Sequence, residues 1–342
     1  MIELSVVVPL YKCSESVLEL ASRLTATLET LDHNFQVILV NDGSPDEDWQ
    51  RVLEVTAADA RFMGVNLSRN FGQMAAITAG LHYTSGRWVV VMDGDLQDEP
   101  ECIPLLYRRA LEGYDAVFGR RHDRKDSFAK RFSSRLFWRV FDYLAGTETD
   151  ASTGNFGVYS RHLINNYLGF KDHYRIFPLL IKWQGFNIGY VDIDHAERPY
   201  GKTAYTYRQL INGGMDVIVS HSNRPLKLSI KFGFLLATFS FTYLSWLVVR
   251  KLFLDVPMGW TSIMVSIFFI GGLLFANLGL IGLYIGKIYD EVKNRPIFLV
   301  KDVTGQSQLF STPQAAQAPE IVTPQCPHEE PGKAAANQRN RW

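Results

Sequence analysis

The stretch Thr261–Gly286 runs for 26 residues without a charged side chain, and Phe232–Val249 does so for 18. At a rise of about 1.5 Å per residue, helices of those lengths reach roughly 39 and 27 Å, against a bilayer hydrocarbon core of about 30 Å. Soluble cores rarely contain so long an uncharged helix. The pair is therefore expected to form a transmembrane hairpin (232–249 and 261–286) rather than two buried core helices. Two spans return the chain to its starting side. Arg224, Lys227 and Lys231 precede the first span and Lys287, Lys293 and Arg295 follow the second, whereas the connecting loop carries Arg250, Lys251 and Asp255. That bias sets both ends on the cytoplasmic side of the cell inner membrane.

Ahead of the hairpin, β-branched apolar runs recur at Leu4–Pro9, Phe35–Val40, Met63–Leu67, Trp88–Met92 and Asp115–Phe118. Stretches of helical period separate them: Ser16–Leu31, Asp48–Ala60, Gly72–Thr84 and Glu101–Leu111. This alternation predicts an α/β domain, Rossmann-like, with a mostly parallel sheet covered on both faces. Its ligands belong outside the carboxyl ends of the strands, which read Pro9-Leu10-Tyr11, Asn41-Asp42-Gly43-Ser44 and Asp93-Gly94-Asp95. The expected organisation is a catalytic domain at 1–205, a juxtamembrane interfacial segment at 206–229, the hairpin within 230–286, a cytoplasmic segment at 287–302 and a disordered tail at 303–342. The tail is rich in Gln, Ala, Pro and Ser and lacks the apolar residues for a core.

Thirty-five Lys and Arg balance 35 Asp and Glu, so no nucleic-acid partner is expected. Cys13, Cys102 and Cys326 are scattered without metal-ligand spacing, which fits a reducing compartment without structural zinc. Met1-Ile2-Glu3 leads straight into an apolar run with no basic region before it, so no secretory signal is expected.

The segment Met92–Asp98 carries Asp93 and Asp95 at alternate positions after a strand, where both point the same way. Two carboxylates suit a divalent ion, Mg2+ or Mn2+, that takes its other ligands from a diphosphate. A solvated Asp/Gly turn is the plain alternative for a lone motif of this kind. Here it follows Ser5–Tyr11, Val40–Ser44 and Leu67–Gln73 in order. Together these segments resemble family 2 glycosyltransferases of the GT-A fold, in the branch of dolichyl-phosphate mannose synthases and bacterial polyprenyl-phosphate glycosyltransferases. The resemblance covers about residues 3–205 and extends through the hairpin to about 300.

That resemblance implies that Pro9, Tyr11 and Asp42 hold the base and ribose of a nucleotide-sugar donor, with Arg69 near the base. It sets Asp93, Asp95 and Gln97 at the metal and diphosphate. Glu15 would be a ribose ligand, although Tyr11-Lys12-Cys13-Ser14-Glu15 departs from the family's Tyr-Asn-Glu-Glu, and Asn41 replaces an Asp. The segment Asp150–Phe156 resembles the acceptor-side loop, with Asn155 where Asp or Ser often stands. Glu197–Tyr205 resembles a mobile loop whose Arg198 and Lys202 would clamp the diphosphate.

A lipid phosphate needs several cations, of which Arg is the best bidentate binder. Arg120, Arg124 and Arg131 are the candidates, and the resemblance favours Arg120. The following stretch, Ser127–Ala145, reads as a basic amphipathic helix suited to a membrane surface or to packing on its own domain. The implied reaction is an inverting transfer of a monosaccharide to polyprenyl (undecaprenyl) phosphate, with transfer to a hydroxyl of a lipid-linked saccharide as the alternative. A hydroxyl acceptor needs a base, for which Asp98 and Asp150 are candidates. A non-catalytic nucleotide-sugar-binding membrane protein is the third possibility. Gly271-Gly272 and Gly279–Gly282 would allow close helix contact and a homo-oligomer.

Overall fold

The computed structural model describes residues 2–31, 34–121, 143–144, 153–193, 214, 218–220, 222–253 and 259–305. Five strands and four helices alternate first: β1 (Leu4–Leu10), α1 (Val17–Glu29), β2 (Phe35–Asn41), α2 (Asp48–Ala58), β3 (Phe62–Leu67), α3 (Gln73–His82), β4 (Trp88–Val91), α4 (Ile103–Leu111) and β5 (Ala116–Arg121). Then come β6 (Thr153–Ser160), α5 (Arg161–Gly169), α6 (Phe177–Trp183), β7 (Ile188–Ile193), α7 (Arg224–Phe253), α8 (Trp260–Val292) and β8 (Val300–Thr304).

Every residue of β1 is buried, as a strand covered on both faces requires. Its alternate side chains feed two cores. Leu4, Val6 and Val8 pack with Leu20, Leu24 and Leu28 of α1, spaced one helical turn apart, while Val7 packs with α3, α5 and α6. The eight strands run in the order β7-β5-β6-β4-β1-β2-β3-β8. The segment β4-β1-β2-β3 is parallel, β5 and β7 are parallel, β6 is antiparallel to β4 and β5, and β8 is antiparallel to β3. The mostly parallel α/β sheet expected from the alternation is therefore present.

Two expectations need correction. The acceptor-side segment is not a loop throughout: from Thr153 it is strand β6, inserted between β4 and β5. Gly154, Asn155 and Gly157 dilute the apolar pattern there, and Gly157 is required because a Cβ would lie 2.6 Å from the Val117 carbonyl oxygen. The tail boundary at 303 falls inside β8, which pairs Val303 with Val65 and Thr304 with Gly64. An edge strand with one open side needs little apolar sequence, so composition hid it.

Helices α7 and α8 extend past the uncharged runs at both ends. Their apolar side chains are exposed, Phe234 at 72% and Phe275 at 76%, where a buried core helix would hide them. Among the described residues one segment, Phe269–Val292, is long and apolar enough to cross a membrane, with mean hydropathy 1.8 and none of it buried. The pair is tied together by Ser229 Oγ and Asn277 Oδ1. It is tied to the α/β domain by the backbone N–H of His173, which donates to Glu291 Oε1 at 2.9 Å, and by Lys287 over the Tyr174 ring at 5.1 Å. Among the described residues nothing lies within 4 Å of where a side chain at Gly271, Gly272, Gly279 or Gly282 would begin.

Candidate active site

The carboxyl ends of β1, β2, β3 and β4 converge on one rim, and the contacts between them explain which residues stand there. Gly94 lies against the end of β1: an added Cβ would meet Leu10 Cδ2 at 2.6 Å and the Pro9 carbonyl oxygen at 3.1 Å. Ser16 Oγ donates to the Gly94 carbonyl at 2.8 Å, joining the start of α1 to the same turn. Gly43 adopts φ +57°, and its Cβ position is 2.3 Å from the carbonyl carbon of Arg69, so only glycine permits that approach. Lys12 takes a left-handed φ of 57°, which directs its N–H to Ser44 Oγ at 3.1 Å.

Residues 93–98 alternate in exposure: Asp93, Asp95 and Gln97 are half-buried, whereas Gly94, Leu96 and Asp98 are buried. The three residues assigned to metal and diphosphate are thus the accessible ones of this turn. Asp93 Oδ1 accepts from Gln73 Nε2 at 2.7 Å, and Asp95 Oδ1 accepts from the Gln97 N–H at 3.2 Å. Leu96, at φ 61° and 1% exposed, anchors the turn from beneath. Among the described residues no group of three or more His, Cys, Asp or Glu forms a metal cage. Two accessible hard carboxylates in one turn fit an ion that draws its remaining ligands from a diphosphate and water.

Asp42 is 2% exposed, and its two oxygens accept from the N–H groups of Phe71 at 2.8 Å and Gly72 at 2.9 Å. Burial raises its pKa, while those two N–H groups and Arg69 pull the other way. Its carboxylate therefore clamps the β3–α3 turn, and a nucleoside would share oxygens already engaged. Tyr11 is exposed at the end of β1 beside buried Pro9, Glu15 is exposed, and Arg69 is exposed with its guanidinium 4.2 Å from the Phe71 ring centroid.

Strand β6 brings Asn155 to this rim. Its antiparallel register with β4 ends at Val91↔Gly157, and the same count carried two residues further reaches Asp93 and Asn155. Tyr159 is fully buried and donates to the Asn155 carbonyl at 2.9 Å. Burial pushes its phenol well above the usual value, and Asp93 and Asp98 add to the effect, so the hydroxyl stays a donor. Asp98 is 1% exposed and is not brought to the open side with Asp93 and Asp95.

Arg120 lies within β5 rather than in the loop after it, and its Nε donates to Asp192 Oδ1 on β7 at 2.7 Å. Strand pairing explains this, because Arg120 and Asp192 are direct register partners. A phosphate there would compete with a carboxylate. Arg124, Arg131, Arg198 and Lys202, with Asp150 and nearly all of the amphipathic stretch, lie outside the described residues.

Several rim residues were not singled out from sequence. Gln73 falls within Leu67–Gln73, where residue type alone points to no role. Asp48 is buried and accepts from the Cys13 N–H at 3.1 Å. A side-chain chain also reaches the rim from β8: Asn66 Nδ2 donates to Asp302 Oδ2 at 3.0 Å, Asn41 Nδ2 to Asn66 Oδ1 at 2.8 Å, and the Ser44 N–H to Asn41 Oδ1 at 3.2 Å.

Parallel strand ends thus gather the Tyr11 ring, the clamped Asp42 carboxylate and the Asp93/Asp95 pair at one rim. Comparison with known proteins gives the family. The model for glycosyl transferase family 2 matches residues 5–169. An uncharacterized glycosyltransferase of Synechocystis sp. is 36% identical over 311 residues, covering 90% of this chain and 98% of its own. One from Bacillus subtilis is 34% identical over 306 residues, covering 89% and 95%. An undecaprenyl-phosphate 4-deoxy-4-formamido-L-arabinose transferase of Shewanella sediminis is 33% identical over 304 residues, covering 87% and 92%. The chain belongs to the family 2 glycosyltransferases.

Proposed function

We propose that this enzyme transfers one sugar from a nucleotide-sugar donor to polyprenyl phosphate at the cytoplasmic face of a membrane, with inversion at the anomeric carbon. The observation that carries the proposal is the partial exposure of Asp93, Asp95 and Gln97 in a turn whose buried Gly94 packs against the end of β1, the strand that Tyr11 follows. The name of the Shewanella relative supplies the acceptor class, and its match spans nearly the whole of both chains. Exposed apolar side chains along α7 and α8 support the bilayer anchor. So do Thr238, Thr242 and Ser245, whose hydroxyls each donate to the carbonyl four residues earlier at 2.9 Å.

In this reading the base stacks on Tyr11 and the diphosphate lies along Asp93, Asp95 and Gln97, which would hold Mg2+ or Mn2+. The ion would neutralise charge on the departing diphosphate. An acceptor phosphate oxygen bonds to the anomeric carbon from the opposite face. The bond to the diphosphate oxygen breaks, and its electron pair leaves with the nucleoside diphosphate. A phosphate monoester is largely ionised at neutral pH, with a second pKa of about 6, so no base is needed. The burial of Asp98, and an amide at Asn155 where the family resemblance sets an acceptor-side residue, favour this acceptor over a sugar hydroxyl, which would need a carboxylate within reach.

The test is incubation of the full chain with a panel of labelled nucleotide sugars, undecaprenyl phosphate and a divalent ion. The expected product is a glycosyl phospholipid with an acid-labile linkage. An acid-stable product would assign a hydroxyl acceptor, and no lipid product from any donor would end the proposal.

A further inference from the structure

A cleft of about 630 Å³ opens where the chain leaves α8, bounded by the first turn of α3, the loop 173–176 and residues 290–297. Four cations line it, Arg69, Arg175, Lys293 and Arg295, against one carboxylate, Asp290. Among the described residues none of the four closes a salt bridge. Arg175 gives its Nε to the Asp172 carbonyl at 2.9 Å and its Nη2 to the Phe170 carbonyl, and its buried Nη1 has no acceptor among the described residues. Lys293 lies 4.0 Å from the Tyr289 ring centroid.

We infer that this cleft holds the phosphate headgroup of an anionic membrane phospholipid. Guanidinium forks suit phosphate oxygens, and a net positive cleft at the cytoplasmic end of a membrane helix recruits acidic headgroups. The cleft is separate from the arginine assigned to the acceptor. Arg69 follows β3 and Arg120 lies on β5, five strand positions away, roughly 24 Å at about 4.8 Å per strand. Gln73 lines the cleft and donates to Asp93, so a headgroup seated here is one side chain from the donor rim. The inference rests on the membrane reading of α7 and α8 and not on the identity of donor or acceptor.

Native mass spectrometry of the full chain in detergent, with added phosphatidylglycerol or phosphatidylcholine, tests it. The wild type is expected to retain phosphatidylglycerol preferentially, and K293Q/R295Q to lose that preference by about fivefold for each cation removed. R295K should keep it, and R51Q, on the exposed face of α2, should change nothing. Should K293Q/R295Q fail to fold by circular dichroism, R295K against R295Q gives the same contrast. Equal retention of the two phospholipids, or unchanged retention in the glutamine variants, overturns the inference. Displacement by inorganic phosphate would make it a free-phosphate site, and preference for undecaprenyl phosphate would assign it to the acceptor; either result overturns it too. A chain that stays monodisperse without detergent would instead overturn the membrane reading, independently of lipid retention and of sugar transfer.

Discussion

Asn66 on β3 donates from Nδ2 to Asp302 Oδ2 on β8 at 3.0 Å, joining two residues that the sequence separates by the whole of α7 and α8. From Asn66 the bonds continue through Asn41 to the Ser44 N–H, and Ser44 Oγ in turn accepts from the Lys12 N–H. The strand that follows the long helices therefore orients the two loops assigned to the nucleoside.

Asp302→Ala removes the outer acceptor and leaves the sheet otherwise paired. It is expected to raise KM for the nucleotide sugar by about threefold to tenfold, consistent with roughly 1 kcal/mol for one side-chain hydrogen bond, with kcat little changed. Steady-state kinetics decide this. A fall in kcat with unchanged KM would mean that the chain of amides acts elsewhere.

Gly43→Ala forces a Cβ to within 2.3 Å of the Arg69 carbonyl carbon at a φ of +57°. Backbone on backbone cannot yield as a flexible side chain does. The substitution should cost about 3 kcal/mol, from the left-handed conformation and the displaced β3–α3 turn together. Denaturant unfolding should show the loss, and nucleotide affinity should fall with it because Arg69 and the Asp42 clamp shift.

His82 closes α3 and packs on Phe298, ring centroids 5.8 Å apart. Burial, and then Arg175, lower its pKa below the ordinary 6.5. The fold therefore favours the neutral ring. The stability it contributes is complete above 6.5 and is lost as pH falls through that value towards the lower folded one. Thermal melts over a pH series should show the wild type losing stability on acidification more steeply than His82→Gln. Parallel curves would show that His82 does not titrate with unfolding.

The first half of the sheet was legible because β1 to β4 are apolar on both faces and α1, α2 and α4 carry a clear helical period, while α3 is buried nearly all round. Strands β6 and β8 were not: one is interrupted by Gly154, Asn155 and Gly157, and the other lies at an edge with its charged residues exposed. At the site, Asp93, Asp95 and Gln97 are partly exposed while Gly94, Leu96 and Asp98 are buried, an alternation that the sequence spacing already suggests. The Asp42 clamp did not, because its partners are backbone N–H groups from a turn 29 and 30 residues away, and backbone donors leave no trace in residue identity. The pairing of Arg120 with Asp192 was equally hidden, since it depends on the register of two strands 72 residues apart.

The central claim is that Asp93 and Asp95 hold a divalent ion against the donor's diphosphate. Calorimetric titration of the full chain with a nucleoside diphosphate, with Mg2+ and then with the ion chelated, tests it most directly. The wild type should bind at least about tenfold more tightly with the ion, and Asp95→Ala should lose that gain, as expected when a partly buried charge partner of the ion is removed. Equal affinity with and without the ion, unchanged in Asp95→Ala, would contradict it.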